Sequence, residues 1–137
     1  MTQPGNGKGY TVLVIDDSEI ARAEMTRVLS EAGLRVFTLS SPIGATRAII
    51  QHRVDAVVID LLMPSMRGDR LAALFRGNPR FEGLGVVLVS GQDHQELTRL
   101  LEEADADAVV PKADLRRLVP AVNNVIRARA GRAARDG

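Results

Sequence analysis

Short apolar runs recur along this chain, and each stops at a polar residue: residues 10–15 before Asp16 and Asp17, 56–59 before Asp60, 86–89 before Ser90, and 108–111 before Lys112. Runs this short, rich in Val and Ile and bounded by turn residues, predict buried strands. Val36, Phe37 and Leu39 make a further, shorter strand. Between the runs the spacing changes to a helical period. Ser18 is a candidate cap for a helix carrying Ile20, Met25, Val28, Leu29 and Ala32, and Gly33 supplies its stop. Ser41 as a cap with Pro42 at the first helical position predicts a second helix ending near His52. A third is expected from Asp69 to about Arg76, after an irregular loop holding Pro64 and Gly68. A polar helix follows from Asp93 to Ala104, and Asp114 is expected to cap a last one running to about Ala130.

Five alternations of strand and helix predict an α/β fold, a flavodoxin-like doubly wound five-stranded parallel sheet in the order 2-1-3-4-5 with helices on both faces. Residues 1–9, rich in Gly, Gln, Asn and Pro, are expected to be a disordered lead-in. Residues 10–130 form a single domain, and 131–137 a basic flexible tail.

Composition narrows the setting. At 137 residues and 45% hydrophobic, the chain buries about 70% of its unfolded surface and needs no staples. It has no cysteine, which removes disulfides and thiolate sites and suits a cytoplasmic location. No apolar segment nears the roughly 18 residues of a membrane span. A net charge of +1 and 3% aromatics argue against nucleic acid as a partner. Arg127, Arg129, Arg132 and Arg135 make only a thin basic footprint near a helix C-terminus, where arginine is favoured anyway. His52 and His94 have no metal-ligand spacing and are expected to face solvent.

In an open parallel sheet the carboxyl ends of the strands share one crevice. Asp16, Asp17, Asp60, Ser90 and Lys112 would meet there. Carboxylates 4 Å apart repel by about 4 kcal/mol per pair at an effective dielectric near 20. An all-oxygen acidic site of this kind favours Mg2+, which shares its shell with waters and phosphate oxygens. Lys112 adds a compact charge, Ser90 and the Gly91 amide are candidate donors to a phosphoryl oxygen, and Asp60, alone at the centre, is the candidate nucleophile.

The segments 14–18, 58–68, 87–91 and 106–112 together resemble the receiver domains of two-component response regulators, the chemotaxis regulator's family, over about residues 10–126. The resemblance implies that Asp60 accepts phosphate from a histidine kinase or phosphotransfer protein. It implies that Asp17 binds Mg2+ directly, Asp16 through water or as a second ligand, and the Leu62 carbonyl completes the shell. Ser90 and Lys112 would engage the phosphoryl group, and a downstream protein would read helix four, strand five and helix five. A second copy of the chain is admitted as a partner, and the receiver is expected to stand alone.

Three positions depart from the family pattern. Val109 stands where a Tyr or Phe usually swings inward, and valine has one stiff torsion. Ala113 follows the lysine where a cis proline is common, so either a strained Lys112–Ala113 bond or a changed loop is expected. Leu62 is apolar where polar groups are frequent, which would shield an acyl phosphate from water and slow self-dephosphorylation. Val109 and Ala113 favour an alternative, a phosphate-independent pseudo-receiver serving as an interaction scaffold; the intact acidic pair, acceptor and lysine weigh against it. An enzyme of the haloacid dehalogenase type would need an aspartate at Ser18, so a signalling module is expected instead.

Overall fold

The computed structural model describes residues 9–91 and 93–136. The expected lead-in, save Gly9, lies outside the described residues, as does Gly137. Five strands, β1 (Thr11–Ile15), β2 (Arg35–Leu39), β3 (Ala56–Asp60), β4 (Gly85–Ser90) and β5 (Ala108–Pro111), pair in parallel in the order β2-β1-β3-β4-β5. This is the order expected from the sequence.

Helices α1 (Glu19–Glu31), α2 (Ala45–His52), α3 (Gly68–Arg76), α4 (His94–Glu103) and α5 (Leu118–Asp136) cover both faces. Alternate residues of each central strand go to opposite cores. Leu13, Ile15, Val57, Ile59, Val86 and Leu88 pack with Ile49 of α2 and Leu71 and Phe75 of α3. Val12, Val14, Val58, Val87 and Val89 pack with Met25 and Leu29 of α1 and Leu118, Val122 and Ile126 of α5. Burial on both faces explains why these strands read as unbroken apolar runs. No helix among the described residues is long and apolar enough to cross a membrane.

Local chemistry sets several boundaries. The Ser18 hydroxyl accepts the Ala21 N–H at 3.2 Å, and Gly33 takes φ +91° after α1, as its sequence predicts. Ile20, counted among the apolar positions of that helix, is instead 80% exposed. α2 starts later than expected. The Ser41 hydroxyl accepts the Ile43 N–H at 3.3 Å, closing a local turn instead of capping the helix, and Gly44 at φ +84° becomes the cap residue. Asp114 likewise pairs with Arg116 and precedes a 3-10 turn, Leu115–Arg117, rather than capping α5 with its side chain. α5 itself continues past Ala130, so residues 131–136 share its helical backbone. His52 is half-buried and stacks on Phe37 with ring centroids 3.8 Å apart, where the sequence suggested a solvent-facing residue.

Two aspartates tie the sheet at the edge where the strands begin. Asp55 Oδ2 accepts the Thr11 N–H at 2.8 Å, joining the start of β3 to that of β1. Asp107 Oδ2 accepts the Val86 N–H at 2.8 Å, joining β5 to β4, and its other oxygen holds Arg129 of α5, whose Nε lies at 3.0 Å. Arg129, one of the four arginines of the basic footprint, is therefore engaged in the fold.

Candidate functional site

The parallel register brings the strand ends level. Ile15 stands beside Ile59, Asp60 beside Val89, and Ser90 beside Pro111. The residues that follow or close these strands therefore share one rim. Oxygens of Asp16, Asp17 and Asp60 all lie within 4.8 Å of one another. Lys112 reaches across from β5 to place its Nζ 3.0 Å from Asp16 Oδ2 and 3.2 Å from Asp60 Oδ1.

Asp16 is fully buried and held on every side. Its N–H donates to Leu39 O at 3.2 Å, its carbonyl accepts from Arg22 Nη1 at 2.7 Å, and its Oδ1 accepts the Ser18 N–H at 2.8 Å. Oδ2 has the Lys112 ammonium close by, yet no aligned hydrogen bond satisfies it. Asp17 is exposed and has no ion-pair partner among the described residues. Asp60 is 5% exposed.

Every peptide bond among the described residues is trans, including Lys112–Ala113. The strained cis bond at Lys112–Ala113 is therefore not present. Asp114 N–H donates to Pro111 O at 3.1 Å, while Lys112 N–H donates to Ser90 O at 2.8 Å and fixes the lysine beside the end of β4. Ser90 is buried and Gly91 is exposed, with open space where a side chain would stand. Leu62 exposes about half of its surface to solvent, and Val109 packs half-buried against the core that holds α3.

Burial and, after it, the Asp16 carboxylate push the Asp60 pKa above its ordinary value, with Asp17 adding and Lys112 opposing. Burial works against the charge on Lys112, but the Asp16 and Asp60 carboxylates beside it outweigh that and raise its pKa. With a raised folded-state pKa, Asp60 stabilises the fold only when protonated. That contribution is complete below the ordinary value of 3.8 and is lost as pH climbs through the raised one. In EDTA at pH 7, Asp60→Asn is therefore expected to melt above the wild type, with the gap closing as the pH falls toward 3.8. Thermal melts across that range measure it, and an Asn variant melting lower at pH 7 contradicts it.

Three carboxylates face one ammonium, and a buried carboxylate oxygen lacks an aligned donor. A hard divalent cation fits such an all-oxygen set, and Asp16, Asp17 and Asp60 are the residues to hold it. Two contributors escaped the sequence. Arg22 anchors the Asp16 carbonyl, and Gly68 sits against the Asp60 peptide: a Cβ there would lie 2.3 Å from Asp60 O. The only signal for Gly68 was its place in the Pro64 loop, where it starts α3 and donates its N–H to Leu61 O at 2.7 Å.

Comparison with known proteins agrees with this geometry. A family model for the response regulator receiver domain matches residues 12–123. Protein PilG of Pseudomonas aeruginosa is 29% identical over 85 residues, covering 62% of this chain and 63% of PilG. The chain thus spans less than two thirds of that relative's length. Two solved structures share the fold. The chemotaxis protein CheY4 of Vibrio cholerae is 21% identical with a TM-score of 0.75, covering 85% of this chain and 98% of that one. The response regulator TrrA of Thermotoga maritima, solved in complex with Mg(2+)-BeF, is 22% identical with a TM-score of 0.72 over the same shares.

Proposed function

The chain belongs to the response regulator receiver domain family, and from that membership we propose that it accepts a phosphoryl group on Asp60 from a phosphohistidine of a kinase or phosphotransfer protein. The observation that carries this is the Lys112 ammonium bridging Asp16 and Asp60 inside a cluster of three carboxylates. Such a cluster is costly to assemble and useful for phosphoryl transfer.

A carboxylate oxygen of Asp60 attacks phosphorus in line; the phosphorus–oxygen bond forms as the phosphorus–nitrogen bond breaks, and the departing imidazole nitrogen takes up a proton. Lys112, already 3.2 Å from Asp60, follows the transferred group and neutralises one of its oxygens. The Ser90 hydroxyl and the Gly91 amide donate to the others. Asp16, Asp17, Asp60 and the Leu62 carbonyl would hold Mg2+, which would supply charge neutralisation at the phosphoryl oxygens. Leu62 narrows the approach of hydrolytic water to the acyl phosphate. The reaction is read as cytoplasmic.

The downstream surface is read as α4, β5 and α5. A groove of about 400 Å³ there is lined by Leu101, Val109, Arg116, Arg117, Pro120 and Ala121. Val109 favours a second reading, a scaffold that binds partners without phosphate, because a half-buried valine on β5 lacks the rotamers that report a site's state.

Intact mass after incubation with acetyl phosphate separates the two. The wild type is expected to gain one phosphoryl group with Mg2+ and none in EDTA. No gain despite Mg2+ makes the scaffold the better account.

A further inference from the structure

The β2–α2 unit carries a surface that the phosphoryl site does not use. Ile43, in the turn that leads into α2, is 82% exposed, and Ile50, seven residues on, is 43% exposed. Pro42, Arg47 and Ile50 help line a shallow groove of about 740 Å³. Ile50 with Arg53 and Arg80 helps line a second one of about 240 Å³. Ile50 is thus the ridge between two adjoining grooves.

Charge on this strip has one sign. No Asp or Glu occurs between Gly33 and Val54. Arg47, Arg53 and Arg80 make no ion pair among the described residues, which several other arginines share, but here three such groups border the same two grooves with no carboxylate among the lining residues. Exposed guanidinium groups without an ionic partner, beside exposed isoleucines, match a surface that offers carboxylates and apolar side chains together.

We propose that the strip formed by Pro42, Ile43, Arg47, Ile50, Arg53 and Arg80 docks an acidic amphipathic helix of a partner protein. A helix about 10 Å across lies along α2 and seats leucine-sized side chains in the grooves flanking Ile50. Its carboxylates meet Arg47 on one side and Arg53 and Arg80 on the other. A nucleic acid would leave the isoleucines without a counterpart. An anionic membrane would meet a concave surface with only two projecting apolar side chains, which buries little area for insertion.

The probe is a fluorescent synthetic peptide of about 18 residues, some five helical turns, with leucine at helical spacing on one face and glutamate elsewhere. Anisotropy titrations give affinity, and amide shift mapping gives the place. The acidic peptide is expected to shift amides of residues 42–53 and Arg80, and Ile50→Ser or Arg47→Glu to weaken it about tenfold each. The Arg47 side chain is solvent-exposed, so the melting temperature of Arg47→Glu should hold. That variant keeps the test valid should Ile50→Ser lose stability, the Ile50 side chain being more than half buried. Four results overturn the proposal: equal affinity for a peptide with lysine in place of glutamate, shifts centred on α4, β5 and α5, displacement of the peptide by phosphatidylserine vesicles that bind the wild type but not Arg47→Glu, and self-association in sedimentation velocity that Arg47→Glu abolishes. None of these readouts passes through Asp60.

Discussion

Asp60→Asn is expected to gain no mass from acetyl phosphate and Mg2+ under conditions that label the wild type fully. The three carboxylates are not equivalent. Asp16 spends Oδ1 on the Ser18 N–H and presents Oδ2 to Lys112 from a fully buried position, with its backbone tied to Leu39 and Arg22. It has no freedom to meet an incoming phosphorus. Asp17 is exposed and lacks the ammonium needed to neutralise what it would receive. Asp60 alone combines near-complete burial, a lysine at 3.2 Å and a place between the acidic pair and Ser90. An amide keeps the shape and loses the nucleophile, so labelling should fall to background while the fold persists. Undiminished labelling in Asp60→Asn would reassign the acceptor to Asp17.

Gly68→Ala is expected to cost about 3 kcal/mol of stability, the upper end of what overpacking does, and to slow labelling as well. The added methyl would sit 2.3 Å from Asp60 O and 3.0 Å from both Asp60 C and Ile59 Cγ2. The nearest obstacle is backbone, so no rotamer change relieves it. Either the first turn of α3 lifts away, breaking the 2.7 Å bond from Gly68 N–H to Leu61 O, or the acceptor's own peptide moves. Positioning errors of this kind are expensive for a reaction that depends on in-line approach. Gly85→Ala is the companion. Its Cβ would meet Val125 Cγ1 at 2.5 Å, a methyl of α5 rather than backbone. That variant is expected to lose about 1–2 kcal/mol and keep the wild-type labelling rate. Urea unfolding and timed intact mass separate the two effects, and a Gly68→Ala protein that labels as fast as Gly85→Ala would remove Gly68 from the site.

The large features were legible because they rest on period and spacing. Double-sided burial writes β1, β3 and β4 as apolar runs, and parallel strands must end on a common rim, so the sequence alone directs Asp16, Asp60, Ser90 and Lys112 to one crevice. Turn chemistry was less legible. A serine before a proline reads as a helix cap, yet the Ser41 hydroxyl serves a turn, and Asp114 is drawn to Arg116. Both are short polar side chains with several backbone or charged partners within reach, and sequence does not rank those partners. Ile20 followed the helical period of α1 but lies off its buried face. Gly68 and Arg22 were hidden for a different reason. Their roles are contacts to the backbone of Asp60 and Asp16, and a main-chain neighbour leaves no trace in side-chain pattern.

A site assembled from four separate strand ends inherits its tolerances from the opposite end of the sheet. Asp55 and Asp107 each lock the start of a strand to the start of its neighbour. Sliding β3 or β5 by one position would displace Asp60 or Lys112 by about 3.3 Å and turn it to the other face. The gap between Lys112 and Asp60 is itself 3.2 Å. A single step of slippage is therefore as large as the contact it would destroy, and two carboxylates that never touch the phosphoryl group serve as the gauge blocks against which the whole crevice is measured.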